Sequence, residues 1–563
     1  MDEKLKEMAL KYAVKNAFEY NGKADLKAVI GKLVSIDKEL GKNLGKHIKE
    51  ITEAIETVNS MEKKELKKKY NSLEFTELPE RKQKEEMKLD WAEKEKVVTR
   101  YAPNPNGPFH LGNARAIINS YEYAKKYNGK FILRFDDTDP KVKRPMENAE
   151  TVFKKDLKWL GIEVDETFFA SDRMEIYYNY MKKVISKGKA YVCKCNKEDW
   201  KKLIDENKGC KCRTKKPKEQ LKEFEKMLSN ELKEGQAVLR IKTDLKAKDP
   251  SLRDWWAAKI VDNPEHPRAG SKYHVWPSYN FASAIDDHEM NITLIIRGQE
   301  HAQNTEKQKF LYEYFKWVYP HALHTGRIKL NEMVLSTSKI KEGIEKKEFI
   351  GWDDPRLGTI QALKRRGFHP ETIKEIIKEI GAKSSDVTID FNRMIDINKK
   401  FIDKKADRYY FIEEPVKLDI NFVPELEIEK PVHPDFPDQT KTYRLKEGSQ
   451  AFLVSKKDLE KMEKGKIARL KHALNFRLTD KNEMNASGEF IGTQKLETKQ
   501  LIQWILTETT AEIMMPNATK KYGAIEKEIL KEAESNWVQL ENFGYAKIDE
   551  IKENKVILWF THK

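Results

Sequence analysis

The chain has 563 residues, 107 Lys+Arg against 92 Asp+Glu for a formal net charge of +15, and it is 39% apolar, 35% charged and 10% aromatic. That composition excludes wholesale disorder and a disulfide-stapled miniprotein, and the length allows roughly three to five domains with cores of their own. The basic excess makes a polyanion, nucleic acid first, a partner to look for.

No stretch approaches the roughly 20 apolar residues of a membrane span, and the opening MDEKLKEMALKYAVKNAF lacks a signal-peptide core, so no membrane association and a cytosolic location are expected. Leu5, Met8, Ala9, Tyr12 and then Leu26, Val29, Ile30, Leu33, Val34 recur at helical spacing, which predicts an N-terminal helical domain. A charge run over 77–96, ELPERKQKEEMKLDWAEKEK, reads as a solvated helix or linker, and residues 1–95 form the first region.

From Lys96 the texture changes. KVVTRYAP reads as a buried strand, PNPNGPFHLGN as a loop, ARAIINSYEYAKKY as an amphipathic helix and KFILRFDDTD as a second strand. Strand, loop, helix, strand is the βαβ unit of a parallel nucleotide-binding sheet. A further strand, ITLIIRG at 292–298, follows only after a long interval, so an inserted domain is expected between the halves. Beyond about residue 400, KLDINFV, EIEKPV, ALNFRLT and KVILWF alternate in short runs, which favours β-barrels or sandwiches. No internal repeat of fixed period is present.

The loop Pro103-Asn104-Pro105-Asn106-Gly107-Pro108-Phe109-His110-Leu111-Gly112-Asn113 lies between a strand and a helix start, where free N–H groups favour an anion. His110 adds a side-chain donor, and the missing Cβ of Gly112 would let a purine or phosphate approach the backbone; a purely structural His and Gly is the competing reading. All four cysteines fall in one segment, Cys193-Lys194-Cys195 and Cys210-Lys211-Cys212 with 14 residues between. Four thiolates can close a tetrahedron round Zn²⁺ as a structural site, against the alternatives of four reduced thiols or a redox pair.

The first loop resembles the HIGH signature of class I aminoacyl-tRNA synthetases, written here as His110-Leu111-Gly112-Asn113, a variant similar to the archaeal glutamyl branch. About 200 residues on, Val334-Leu335-Ser336-Thr337-Ser338-Lys339-Ile340 resembles the KMSKS loop, with Thr337 where that family carries its second lysine. Arg100, Leu133-Arg134-Phe135-Asp136-Asp137-Thr138-Asp139, Trp276-Pro277-Ser278-Tyr279-Asn280-Phe281 and Gly351-Trp352-Asp353-Asp354-Pro355-Arg356 narrow the resemblance to the glutamyl/glutaminyl group across roughly residues 96–400. The β-rich tail resembles the archaeal and eukaryotic type rather than the bacterial glutamyl enzymes, whose anticodon domain is helical.

The resemblance implies a multidomain α/β protein. Its parts would be a Rossmann-type parallel-sheet catalytic core in two halves (96–190 and 276–325), an inserted zinc-containing acceptor-binding domain (191–275), a KMSKS-like loop with a helical connecting subdomain (326–400), and β-barrel anticodon-binding domains (401–563). It also implies activation of L-glutamate by ATP with Mg²⁺ and transfer to tRNA(Glu), with tRNA(Gln) as a possible second acceptor, by a monomer. Glutaminyl-tRNA synthetase is the nearest rival, and a catalytically silent tRNA-binding paralogue the rival of another class. His110 and Lys339 are the expected catalytic pair, with Pro103–Asn113, Arg327 and Leu335, Ser336, Thr337, Ser338, Lys339 at ATP. Arg100, Asp136, Tyr279 and Arg297 are expected at glutamate: Arg100 for the carboxylate, Asp136 for the ammonium, Arg297 for the γ-carboxylate. An N-cap or structural ion pair is the competing role for Asp136, and an ordinary surface position that for Arg297. The N-terminal helices are left open between a partner protein and a packing role.

Overall fold

The structure, a computed structural model, describes residues 3–19, 23–36, 44–73, 88–496, 500–506 and 509–563. It divides into two compact units, Met1–Glu86 and Met87–Lys563. In the first, helices α1 (Glu3–Glu19), α2 (Leu26–Ile36), α3 (Leu44–Asn59) and α4 (Lys63–Asn71) share one core, in which Ala9, Ala13 and Val14 of α1 meet Leu33, Ile51 and Val58. The periodic apolar positions supply that core because residues three and four apart stack on one helix face.

The charged run at 77–87 lies outside the described residues. Residues 88–96 are turns, not the solvated helix or linker that their composition suggests: Leu89 N–H donates to Tyr127 Oη at 2.7 Å, and the Trp91 ring stacks on His321 at 4.1 Å. Leu89 and Trp91 join Val97, Tyr123, Leu294 and Ile296 in a small core, so burial of two apolar side chains overrides the polar average of the segment.

The second unit is organised by a five-stranded sheet of β1 (Val98–Tyr101), β2 (Lys130–Phe135) and β3 (Glu166–Phe169) with two later strands. Between β1 and β2 runs α5 (Leu111–Lys126), between β2 and β3 α6 (Ala149–Trp159), and after β3 comes α7 (Met174–Ser186). The chain then leaves the sheet for an antiparallel meander of β4 (Ala190–Cys193), β5 (Val238–Ile241), β6 (Trp256–Ile260) and β7 (Val275–Pro277), with α8 (Lys197–Asp205) and α9 (Pro217–Leu228) between β4 and β5. It returns through α10 (Tyr279–Glu289), β8 (Leu294–Gly298), α11 (Ala302–Phe315) and β9 (His321–Thr325). The sheet order is β3-β2-β1-β8-β9 with every pairing parallel. The order reverses between β1 and β8, and a crevice opens at the carboxyl ends of those two strands, where open α/β sheets bind ligands.

A connecting region follows: β10 (Ile328–Lys329), α12 (Thr337–Glu345), α13 (Ile360–Arg365), α14 (Pro370–Ile380), β11 (Val387–Thr388) and α15 (Phe391–Ile402). It is pinned to α5 by Arg115, 1% exposed, whose guanidinium donates to the carbonyls of Gly381 (2.9 Å), Gly326 (2.6 Å) and Lys383 (2.8 Å).

The tail is β-rich as its alternation predicts, in a six-stranded and a seven-stranded sheet. In the six-stranded sheet the strands at either end of the order are Gly448–Ser455 and Leu501–Ile502, and a pair of backbone bonds between Leu453 and Ile505 (2.8 and 3.0 Å) brings those ends together. The seven-stranded sheet begins with Asp407–Tyr409 and ends with Phe411–Glu413, neighbours separated only by Tyr410, so its edges also meet. Closure of this kind removes the unpaired edges that an open sheet exposes. Among the described residues no helix is long and apolar enough to cross a membrane.

Because Arg115 satisfies several backbone carbonyls at once, Arg115→Met should destabilise the unit by about 3 kcal/mol, read as a fall in the urea midpoint at unchanged m-value. A midpoint equal to that of the parent would mean that water satisfies those carbonyls as well as arginine does.

Candidate active site

A cleft of about 810 Å³ opens at the carboxyl ends of β1 and β8, and it gathers most of the residues singled out by sequence. The loop from Pro103 to Phe109 carries β1 into α5. Its course is held by backbone bonds from Asp136 N–H to Pro103 O (2.8 Å) and from Met146 N–H to Pro105 O (2.9 Å). His110 is the N-cap residue of α5, and Asn113 reaches back to accept its N–H at 3.2 Å. Asparagine in place of the second histidine thus closes the helix start on itself, satisfying a donor that has no helical partner.

His110 Nδ1 is buried without a protein partner, and burial lowers the imidazole to about 4, so the ring is neutral at neutral pH and can donate from only one nitrogen. The role of Gly112 differs from the sequence expectation: a Cβ there would sit 2.9 Å from Cε1 and Nδ1 of His110, so the glycine makes room for the histidine ring rather than for a ligand. Phe109 packs on Tyr101 and Phe153, and Leu111 is fully buried in the core. Pro105 and Leu111 therefore support the loop without lining the cleft, whereas Pro103, Asn104, Asn106, Gly107, Pro108, Phe109, His110, Gly112 and Asn113 line it.

The second signature forms the start of α12, with Ser336 as N-cap. Leu335 and Thr337 line the cleft. Ser336, Ser338 and Lys339 are exposed and lie outside the set of residues that line it. A Cβ on Gly107 would come within 2.5 Å of Thr337 Cγ2 and 3.0 Å of Trp352, which shows how closely the two loops meet.

The segment 352–360 splints them. Val334 N–H donates to Arg356 O (3.1 Å) and accepts at its own carbonyl from Gly358 N–H (3.0 Å), while Leu111 N–H donates to Gly358 O and Ile360 N–H to Phe109 O, both at 2.9 Å. Fully buried Asp354 holds the Arg356 fork at 2.8 and 2.7 Å and keeps that segment in shape. Arg327 does line the cleft; its N–H is held by Asp386 Oδ1 at 2.8 Å, and Glu300 lies 4.0 Å from its exposed guanidinium.

At the other end of the cleft lies a buried charge network. Asp287 accepts Arg100 Nε (3.1 Å) and Nη2 (3.3 Å) and Arg134 Nη1 (2.7 Å), and Arg134 Nε donates to Asp136 Oδ1 at 2.8 Å. Asp286 takes Arg173 Nε at 2.7 Å and the Tyr177 hydroxyl at 2.5 Å. The fork of Arg100 expected to meet a substrate carboxylate is thus engaged by Asp287, which leaves Nη1 without a partner among the described residues. Burial pushes Asp287 up, yet the two guanidinium groups outweigh it and hold the carboxyl at about 2. Asp136 differs: burial raises it to about 6 against the pull of Arg134, and its Oδ2 is buried with no partner. One oxygen of Asp136 thus sits in an ion pair with Arg134, and the other is left without a partner.

Arg297, at the end of β8, is 5% exposed. Its Nη1 donates to Tyr279 Oη (3.3 Å) and its Nη2 to Thr305 Oγ1 (2.6 Å), Gln308 Oε1 (3.0 Å) and Tyr319 Oη (3.2 Å), while Nε has no partner. All of these partners are neutral, and no carboxylate of the described residues lies within 4 Å. His301 beside it is lowered to about 4 by burial and then by Arg297, so it adds no second cation at neutral pH. Asp286 and Asp287 escaped the sequence reading. The available signal was two acids on the same stretch of α10 as Phe281, Ala282 and Ile285, a helix too apolar for them to be solvated.

The four cysteines converge: Cys193 Sγ lies 3.8 Å from Cys210 Sγ and Cys195 Sγ 4.0 Å from Cys212 Sγ, with all four within 4.8 Å of one another. Four sulfurs bound to one Zn²⁺ at about 2.3 Å are about 3.8 Å apart, so this donor set fits that ion. Gln220, 1% exposed, ties the site to β4 by accepting Val192 N–H at 2.8 Å and donating to Cys212 O at 2.5 Å.

Residues 96–404 match the family described as tRNA synthetases class I (E and Q), catalytic domain, and residues 406–495 match its anti-codon binding domain. Among curated proteins, a glutamate–tRNA ligase of Pyrococcus furiosus is 46% identical over 99% of this chain and 100% of its own length. Those of Thermococcus kodakarensis and Sulfurisphaera tokodaii are 45% and 42% identical, each covering 100% of both chains. With a cleft built from both signatures and a match over more than half of its length, the chain belongs to the class I tRNA synthetases of the glutamyl and glutaminyl group.

Proposed function

We propose that this chain is a glutamate–tRNA ligase, activating L-glutamate with ATP and passing it to the terminal ribose of tRNA(Glu). The observation that carries this reading is Arg297, a buried guanidinium at the cleft wall with neutral protein partners only. Burying a charge without a counter-charge costs several kcal/mol, and a γ-carboxylate supplies that counter-charge where a γ-carboxamide does not. Glutaminyl-tRNA ligation would leave Arg297 uncompensated. A silent paralogue would have no use for the unpartnered Asp136 Oδ2 and His110 Nδ1.

In this reading the free oxygen of Asp136 takes the α-ammonium, Nη1 of Arg100 the α-carboxylate, and Tyr279 closes the side of the pocket against Arg297. The carboxylate attacks the α-phosphate of ATP, which arrives with its Mg²⁺, and pyrophosphate leaves; no protein nucleophile is needed. Positioning and charge stabilisation do the work. Neutral His110 donates from the α5 start, and Lys339 and Arg327 are the cations for the phosphates, Arg327 lining the cleft with its guanidinium exposed. Leu335 and Thr337 complete the wall.

The four cysteines would hold a structural Zn²⁺ that braces the inserted sheet, whose basic face would meet the acceptor end. The two terminal β sheets would bind the anticodon. A monomer in the cytoplasm, with tRNA(Gln) as a second possible acceptor and the N-terminal helices free to dock a partner protein, completes the proposal.

ATP–pyrophosphate exchange in the presence of tRNA should proceed with glutamate and not glutamine. Arg297→Cys should raise the KM for glutamate at least about tenfold, ~1.4 kcal/mol, and narrow the preference. Undiminished discrimination would remove Arg297 as the selector.

Asp136 must be ionised to bind an ammonium. With its carboxyl at about 6, kcat/KM for glutamate should fall as pH drops through 6, a limb absent in Asp136→Asn, whose KM is high at every pH. A limb centred near 4 would assign it to a solvated carboxylate instead.

Elemental analysis should find one zinc per chain, lost in Cys193→Ser along with the fold of the insert. Metal-free protein of full activity would leave the cysteines without this role.

A further inference from the structure

We infer that Gln308 is a specificity-determining residue of the glutamate pocket, a positioning residue that acts through Arg297 by being neutral; the inference rests on the ligase reading above. β8 passes into α11 through Gln299, Glu300 and His301 alone, and Thr305 and Gln308 lie one turn apart on that helix, so both face back onto the arginine near the strand's end. Gln308 is 1% exposed and Thr305 6%, and neither lines the cleft that Arg297 lines. Whatever enters the cleft meets the guanidinium and not these two side chains that hold it.

The amide has one orientation open to it. A guanidinium only donates, so the oxygen faces it: Oε1 accepts Arg297 Nη2 at 3.0 Å and the Tyr319 hydroxyl at 2.9 Å, while Nε2 is buried with no partner. An unpaired buried donor is costly. A glutamate has the same shape, would accept the same two bonds, would remove the orphaned donor and would give Arg297 the counter-charge it lacks. The chain thus carries the side chain that fits less well here, although the same helix bears Glu306 and Glu313 on its exposed side, Glu306 paired with Lys309 at 2.8 Å. The rest of the surroundings repeat the pattern. The Thr305 hydroxyl accepts Nη2 at 2.6 Å and has His324 Nε2 at 3.0 Å, and partial burial followed by Arg297 itself lowers that imidazole, so it is neutral at neutral pH. Asp287, the carboxylate whose charge reaches Arg297, is held by Arg100 and Arg134.

This local misfit has a reason in the choice the pocket makes. Glutamate and glutamine differ in charge and hardly in shape, so a site separates them by leaving one charge for the ligand to answer. A carboxylate 3.0 Å from Nη2 would answer it from inside the protein, and Arg297 would then treat the two substrates alike. Gln308 supplies orientation and withholds charge.

The test measures ATP–pyrophosphate exchange in the presence of tRNA, with glutamate and with glutamine, for the full-length parent, Gln308→Glu and Gln308→Met, together with the thermal midpoint of each. Gln308→Glu should raise the KM for glutamate at least about tenfold and narrow the preference over glutamine. Its KM for ATP should stay at the parent value, and its thermal midpoint should rise because a buried charge gains a partner. Gln308→Met, similar in length and without charge, should keep the preference for glutamate within about threefold of the parent's. A Gln308→Glu protein that discriminates as the parent does or melts below it, or a Gln308→Met protein that discriminates as poorly as Gln308→Glu, would each overturn the inference. A parent that activates no glutamate would instead overturn the ligase reading.

Discussion

Two buried arginines and three buried aspartates tie the parallel sheet to the helix that leads back into it, at one end of the cleft. Arg100 comes from β1, Arg134 from β2, and Asp286 and Asp287 from α10, so one network spans three elements far apart in sequence. Removing any member would leave another charge buried and alone, which makes the set act as a unit. Most of its oxygens are saturated; Asp136 Oδ2 is the exception.

The opposite end of the cleft is built by another means. There, neutral backbone bonds through residues 352–360 join the two signature loops, and glycine at 107 allows side chains from both to touch. The charges of this joint are paired with one another, Asp354 with Arg356 and Asp353 with Arg365. Arg327 stands on a backbone that Asp386 and Arg115 hold from behind, while its exposed side chain reaches toward Glu300.

In the proposed reading, substrate choice would depend on the asymmetry between Arg100 and Arg297. The first is neutralised by Asp287 and serves mainly to hold shape; the second is surrounded by hydroxyls and an amide, which orient it without cancelling its charge. A cation compensated by the protein discriminates little, whereas one compensated only by the ligand discriminates strongly.

Local sequence was enough for the two signatures, the strand–loop–helix–strand unit, the paired cysteines and the alternation of the tail, because each depends on residues within one loop or one strand period. It also marked Arg297 as a cation ending an apolar strand. It did not reveal that Asp287, 187 residues from Arg100, occupies the fork expected to meet substrate. Nor did it reveal that Lys339 stands outside the cleft while Arg327 lines it, that Trp91 folds back on the sheet, or that Gln308 holds Arg297. Those outcomes depend on which side chains the crossovers bring within hydrogen-bond reach. Periodicity along the chain reports which face a residue prefers; only packing decides what stands opposite it.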